Sequence, residues 1–182
     1  MMIKTKFLKN MTTLKLISVG ALALSLLGYT AYNANITETK KVEVADVKAA
    51  NLPDFMVKND QGKTVNLNSF KGKKVFVNLW ATWCGPCRRE MPSIESLYNK
   101  TKGKKVEFVM LSLDDDFNKA INYKTTNKLS MLMYYPAANL PALFNVDGIP
   151  ATFVFNEKGE LVKTIQGSTN YDTQEFVDLL TK

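Results

Sequence analysis

The feature that most constrains the fold of this chain is an apolar segment that runs directly into a turn containing both cysteines. The segment reads KKVFVNLWA (residues 73–81) and is followed by TWCGPC (residues 82–87). An apolar run of this length, bounded by turns, is typical of a strand that is buried on both faces. Residues 86–100 then repeat apolar side chains at helical spacing, which predicts a helix that begins at the cysteines. A buried strand that leads into a helix indicates an α/β domain.

The rest of the C-terminal part of the chain also alternates between strand and helix patterns. Apolar runs on either side of residues 60–62 predict an N-terminal β-hairpin, and runs on either side of residues 157–160 predict a second hairpin. VEFVMLSL (residues 106–113) predicts another buried strand. Helices are predicted over residues 115–127, 139–146 and 172–181. We therefore predict an α/β fold with a mixed central sheet flanked by helices and an added N-terminal β-hairpin.

The positive charge of the chain is concentrated near its N-terminus. The net charge is +7, and residues 1–41 contain six lysines and one glutamate, whereas residues 42–182 contain 18 basic and 16 acidic side chains. A nucleic-acid-binding domain would be expected to show a basic face with interleaved aromatic residues. Residues 42–182 are nearly balanced in charge and show no such pattern, so we predict no nucleic-acid partner.

The N-terminal segment has the pattern of a membrane anchor. Four lysines precede an apolar run of 17 residues (16–32) that contains no charged side chain. This length is at the lower end of what a transmembrane helix needs, and the preceding lysines place the N-terminus in the cytoplasm. A cleaved signal peptide is the alternative, although no clear small-x-small cleavage site follows the run. An uncleaved anchor in the lipid bilayer is favoured.

This interpretation divides the chain into four parts. Residues 1–15 are a cytoplasmic basic segment, and residues 16–32 are the anchor or signal peptide. Residues 33–50 lack a sustained apolar face and are predicted to be a tether. Residues 51–182 are the folded domain.

Two cysteines separated by two residues have three interpretations. A disulfide across so short a loop stabilises a fold by only roughly 2 kcal/mol on the chain-entropy model, which makes a purely structural bond a poor use of the pair. A zinc site usually needs four ligands, and the chain has no histidine and no second cysteine pair, so we predict no metal. A helix N-terminus stabilises a thiolate, which favours a redox pair. Cys84 is predicted to be the exposed attacking thiol, and Cys87 the less accessible thiol that resolves a mixed disulfide.

Several motifs resemble those of the thioredoxin-like family, in particular its membrane-anchored TlpA/ResA-type thiol-disulfide oxidoreductases with a redoxin-like domain. They are WCGPC within VNLWATWCGPCRREMP, and GIPATFVFNEKGELVKTIQG further along the chain. The resemblance covers about residues 52–182 and implies a thioredoxin-like fold. It also implies a redox-active Cys84–Cys87 disulfide with no other cofactor, a cis bond before Pro150, and an acidic helper at Glu90. The residues that would contact the substrate are Trp83, Gly85, Pro86, Ile149 and Pro150.

Two acidic features of the sequence also point to a role. Glu90 shares a helical stripe with Met91 and Ile94, so its carboxyl group is predicted to face inward, with a raised pKa that suits proton exchange with a thiol. An ordinary first-turn acid favoured by the helix dipole is the alternative. The run of aspartates at residues 114–116 is predicted to cap the following helix rather than to bind a cation.

The resemblance implies an extracytoplasmic enzyme in the cytoplasmic membrane of a bacterium. Such an enzyme receives electrons from a membrane thiol relay and reduces disulfides in client proteins with cysteine pairs, of which apocytochrome c is one class. Two alternatives remain open. One is a thiol peroxidase of the redoxin type, although Ala81 stands where peroxiredoxins have threonine. The other is a non-catalytic binding or metal-carrier module on the same fold.

Overall fold

The structure is a computed structural model that describes residues 50–182. The predicted basic segment, the anchor and all but the last residue of the tether lie outside the described residues. Among residues 50–182, no helix is both long enough and apolar enough to cross a membrane.

The centre of the domain is a seven-stranded mixed sheet with the strand order β2-β1-β5-β4-β3-β6-β7. Strands β3, β4 and β5 are parallel to one another, and the other neighbouring pairs are antiparallel. The strands are β1 (Met56–Asn59), β2 (Thr64–Asn66), β3 (Lys74–Trp80), β4 (Val106–Ser112), β5 (Met133–Pro136), β6 (Ala151–Phe155) and β7 (Leu161–Gln166).

Three α-helices and two short 3₁₀ helices accompany the sheet. The α-helices are α1 (Gly85–Thr101), α2 (Phe117–Thr126) and α3 (Gln174–Thr181), and the 3₁₀ helices are Leu67–Phe70 and Ala142–Phe144. Both predicted hairpins are confirmed, as β1–β2 and β6–β7. The short helix predicted over residues 139–146 is a single 3₁₀ turn. Strand β5 was not predicted.

Strand β3 is buried on both faces, as its sequence predicted. Its alternate residues Phe76 and Trp80 belong to one apolar cluster, which includes side chains of all three α-helices. Val77 and Leu79 belong to a second apolar cluster, which also contains Phe144. Because β3 lies at the centre of both clusters, the turn at its end is held in a fixed position.

The chain enters the domain at the end of the sheet opposite that turn. The Leu52 N–H donates to the Gly159 carbonyl at 2.6 Å, and the Leu161 N–H donates to the Ala50 carbonyl at 2.7 Å. Residues 50–52 are therefore held against the β6–β7 turn. Since β6 runs antiparallel to β3, this turn lies beside the first residues of β3.

Candidate active site

The two cysteines lie between the end of β3 and the first turn of α1, and they form a disulfide. Cys84 is the N-cap of α1, and its sulfur accepts a hydrogen bond from the Cys87 N–H at 3.2 Å. This places the sulfur where the unpaired N–H groups and the helix dipole favour negative charge. In the reduced form, a Cys84 thiolate would be stabilised by the same groups.

The prediction that Cys84 is an exposed residue is wrong for the disulfide form. Cys84 is 5% exposed and Cys87 is fully buried, so the predicted order of accessibility holds but the difference is small. The physical reason is that the segment before β6, which is distant in sequence, covers Cys84. The Ile149 carbonyl oxygen lies 3.6 Å from the Cys84 sulfur, and the Ile149 side chain packs against the apolar cluster to which both cysteines belong.

The residues predicted to contact a substrate surround Cys84. Trp83 is 66% exposed, which is unusual for so large an apolar side chain, while Gly85 and the exposed Pro86 form the start of α1. The peptide bond Ile149-Pro150 is cis, as the resemblance implied. Pro150 is buried directly before β6. The structure therefore brings all five residues to one edge of the sheet.

The carboxyl group of Glu90 is enclosed beneath this surface. Glu90 is 2% exposed, as predicted from its position on the inward stripe of α1. Burial raises the pKa of Glu90 from its ordinary value of 4.5 to about 7, while hydrogen bonds from Asn78, the Thr169 N–H and the Ser168 side chain act in the opposite direction. The carboxyl group is therefore divided between its protonated and ionised forms near neutral pH.

The polar neighbours of Glu90 were not predicted as a group. The Asn78 side-chain amide donates to Glu90 Oε1 and to Thr152 Oγ1, both at 2.9 Å. Thr152 Oγ1 also lies 2.6 Å from the Tyr171 hydroxyl, and Asn78 and Thr152 face each other directly in the β3–β6 pairing. Burial, opposed by the hydrogen bond with Thr152, raises the pKa of Tyr171 above its ordinary value. These side chains form a continuous buried polar cluster that fixes one oxygen of the Glu90 carboxyl group.

Asp114 is a second site residue whose role sequence reasoning missed. The prediction that residues 114–116 cap the next helix holds for Asp116, whose side chain accepts from the Asn118 N–H. Asp114 is instead buried and accepts hydrogen bonds from the Thr82 N–H at 3.1 Å and from the Thr82 hydroxyl at 2.6 Å. Because Thr82 precedes Trp83 and Cys84, this carboxylate holds the loop that carries the redox pair.

The fold and the site together define the class of the protein: a thiol-disulfide oxidoreductase with a thioredoxin-like fold. The chain belongs to the Redoxin family, whose model matches residues 47–180. It is 32% identical over 160 residues to thiol-disulfide oxidoreductase ResA of Bacillus thuringiensis subsp. konkukian, covering 85% of this chain and 88% of that protein. It is 34% identical over 163 residues to thioredoxin-like protein YneN of Bacillus subtilis, covering 88% of this chain and 95% of that protein.

A solved structure shows the same architecture. The thiol:disulfide interchange protein of the thioredoxin family from Chlorobium tepidum TLS superimposes with a TM-score of 0.64 at 27% sequence identity. The match covers 75% of this chain and 99% of that one. Together with the Redoxin match, this confirms the predicted family and fold.

Proposed function

We propose that this protein is an extracytoplasmic, membrane-anchored enzyme that reduces disulfides in client proteins. The observation that carries the proposal is the difference between the two sulfurs. Cys84 lies at the helix N-terminus beside the exposed Trp83, whereas Cys87 is fully buried. Both sulfurs are buried in the disulfide form, but Cys84 is the one at the helix start next to the exposed Trp83, and so the one that a client would reach first.

The exchange follows from this arrangement. In the dithiol form, the Cys84 thiolate attacks one sulfur of a client disulfide, which forms a mixed disulfide and releases the other client sulfur as a thiolate. The Cys87 thiolate then attacks Cys84, which forms the enzyme disulfide and releases the second client sulfur. Two electrons pass to the client, and a dithiol donor at the membrane restores the reduced enzyme.

Glu90 supplies the proton transfers that this thiol-disulfide exchange needs. Cys87 must lose its proton before it can attack, and each released client thiolate must gain one. Glu90 lies one helical turn from Cys87, on the same buried face of α1, and its pKa of about 7 allows it to accept a proton and return it near neutral pH. We assign Glu90 this role.

The client surface is formed by the backbone of Ile149 together with Trp83. The Ile149 carbonyl beside Cys84 can accept a hydrogen bond from an extended client segment, so that the client cysteine is held against the attacking sulfur. Recognition through the backbone suits clients of differing sequence. Proteins with paired cysteines, including apocytochrome c with its haem-attachment cysteines, fit this requirement.

A trapping experiment tests the proposal. Full-length Cys87→Ala protein, expressed in the native cell, should accumulate mixed disulfides between Cys84 and its clients, because the resolving thiol is absent. Cys84→Ala is the matched control and should accumulate none. Disulfide-linked partners of equal abundance in both variants would contradict the assignment of Cys84 as the attacking residue.

The direction of transfer needs a separate measurement. Acid quenching followed by alkylation reports the redox state of the wild-type pair in growing cells, and a reductase should be held mainly as the dithiol. A pair that is found almost entirely as the disulfide would overturn the reducing direction. Consumption of peroxide by the purified dithiol form, at a rate exceeding its reduction of protein disulfides, would instead favour the thiol peroxidase.

A further inference from the structure

Six exposed lysines lie together at the end of the domain where β3 and β4 begin. Backbone hydrogen bonds join the three segments that carry them: the Lys74 N–H donates to the Lys105 carbonyl at 2.9 Å, and the Gly72 N–H donates to the Glu157 carbonyl at 2.8 Å. We refer to these six residues as the lysine cluster: Lys71, Lys73, Lys102, Lys104, Lys105 and Lys158.

Six lysines against three nearby acids leave the lysine cluster with an excess of three positive charges. Lys73 pairs with Glu107 at 2.8 Å, and the other five lysines have no ion-pair partner within residues 50–182. Glu157 and Glu160 are the nearby acids on the β6–β7 turn, and the Glu160 carboxylate accepts a hydrogen bond from Asn156. Since residues 42–182 as a whole are nearly neutral, the cluster is a local excess of positive charge.

The chain also enters the domain at this end. Residues 50–52 are bonded to the β6–β7 turn, next to the lysine cluster. Only 17 residues (33–49) separate this point from the apolar run at residues 16–32. Seventeen residues can span at most about 56–61 Å, whatever their conformation. The lysine cluster therefore adjoins the point where the described part of the chain begins, a short distance along the sequence from the predicted anchor.

We propose that the lysine cluster docks the domain on the anionic headgroups of the bilayer in which the chain is anchored, with the cysteines turned away from the membrane. The proposal rests on the anchoring included in the proposed function. Each lysine that reaches an anionic surface strengthens binding by about fivefold, and the tether maintains a high local concentration of the surface. Strand β3 separates the cluster from the cysteines by about 20 Å, so docking leaves Trp83 and Cys84 accessible to clients.

Residue-by-residue amine labelling tests the proposal. Full-length protein is reconstituted in vesicles of phosphatidylcholine alone, or with about one-third phosphatidylglycerol, and treated with a membrane-impermeant acetylating reagent. We expect Lys102, Lys104 and Lys105 to be acetylated several-fold more slowly in the anionic vesicles, with the difference lost at high salt because the attraction is screened. Equal rates in the two vesicle types would overturn the proposal.

A charge-matched pair of variants separates position from net charge. The cluster variant is Lys102→Gln/Lys104→Gln/Lys105→Gln. Its control is Lys58→Gln/Lys63→Gln/Lys128→Gln, which removes three exposed lysines that lie on other elements and make no ion pair within the described residues. Protection of Lys71 and Lys158 should be lost in the cluster variant and kept in the control. Loss in both would show that net charge, and not the cluster, is responsible, and would refute the proposal.

Two further outcomes separate this proposal from the anchoring itself. If the chain fails to incorporate into neutral vesicles, the anchor is wrong. In that case, salt-sensitive cosedimentation of the wild-type protein with anionic vesicles, together with loss of cosedimentation in the cluster variant, would still support docking by the lysine cluster. Absence of cosedimentation of the wild-type protein would overturn the docking proposal. Protection of the cluster by soluble heparin but not by anionic vesicles would identify a soluble polyanion as the partner and would also overturn it.

Discussion

Replacing Glu90 with glutamine should remove a pH dependence of folding stability that the buried carboxyl group imposes. The folded protein holds a proton on Glu90 up to about pH 7, whereas the unfolded chain releases it near pH 4.5. Between these values the folded state binds more protons, so the free energy of unfolding must fall as the pH rises. The stabilisation from this proton is complete below pH 4.5 and is lost by the time the pH exceeds 7.

The magnitude follows from the two pKa values. The difference between 4.5 and about 7 corresponds to about 3 kcal/mol lost between pH 4.5 and pH 8. Glutamine is neutral throughout and keeps an oxygen that can accept from Asn78. Its amide group, however, faces the Thr169 N–H, which donates to Glu90 at 3.2 Å, and this mismatch costs about 1 kcal/mol. Glu90→Gln should therefore be slightly less stable than wild type at pH 5 and more stable at pH 8.

Urea unfolding of the disulfide form at a series of pH values measures this effect, because the cysteines cannot titrate in that form. Tryptophan fluorescence reports the transition, because Trp80 is fully buried in the folded state and becomes exposed on unfolding. Glu157→Gln is the control, since Glu157 is exposed on the β6–β7 turn and its removal should leave the pH slope unchanged. Parallel pH profiles for wild type and Glu90→Gln would refute the reasoning.

Three other predictions concern the residues around the redox pair. In the reduced protein, Cys84 should be alkylated faster than Cys87, because Cys87 has no exposed surface; peptide mass spectrometry at short reaction times measures both, and equal rates would contradict the assigned roles. Asp114→Ala should lower the free energy of unfolding by about 3 kcal/mol and slow disulfide reduction, because it leaves a backbone N–H and hydroxyl groups without their acceptor. Asp114→Asn should retain most of both properties, and if it behaves like Asp114→Ala the acceptor role is wrong. Trp83→Ala should change stability by less than about 0.5 kcal/mol and yet slow the reduction of protein disulfides more than that of a small disulfide, and equal slowing of both would remove Trp83 from the client surface.

The elements of this fold that could be predicted from the sequence are those whose pattern is local. Strand β3 and helix α1 have apolar runs or stripes long enough to identify alone. Strand β5 has four residues and pairs with β4 through only Met133 and Tyr134. Its place in the sheet depends on β1 and β4, which are distant in sequence. Residues 131–135 (MLMYY) are a continuous apolar run, but a run this short cannot be told from a buried helix segment by its pattern alone.

The same distinction applies to the site. The cysteine spacing and the inward position of Glu90 are properties of one helix and were predictable. The low exposure of Cys84 depends on Ile149, which is 65 residues away, and the hydrogen bonds of Glu90 depend on Asn78 and Thr169. The run of aspartates at residues 114–116 predicts a cap because it directly precedes α2, and nothing in the local sequence distinguishes Asp114 from Asp116.

The hydrogen bond between Asn78 and Thr152 also has a consequence for how the chain selects its strand register. Strands β3 and β6 are both almost entirely apolar, so an alternation of apolar and polar residues does not by itself select one register. In the native register the two polar side chains are direct partners, and the Asn78 amide also reaches Glu90. A shift of β3 by one residue would move Asn78 to the opposite face of the sheet, among apolar side chains, and leave its amide without an acceptor, at a cost of about 1–3 kcal/mol. The polar cluster that fixes the carboxyl group of the active site thus also excludes the misaligned sheet, so a chain that pairs its central strands wrongly would lack a working proton acceptor as well.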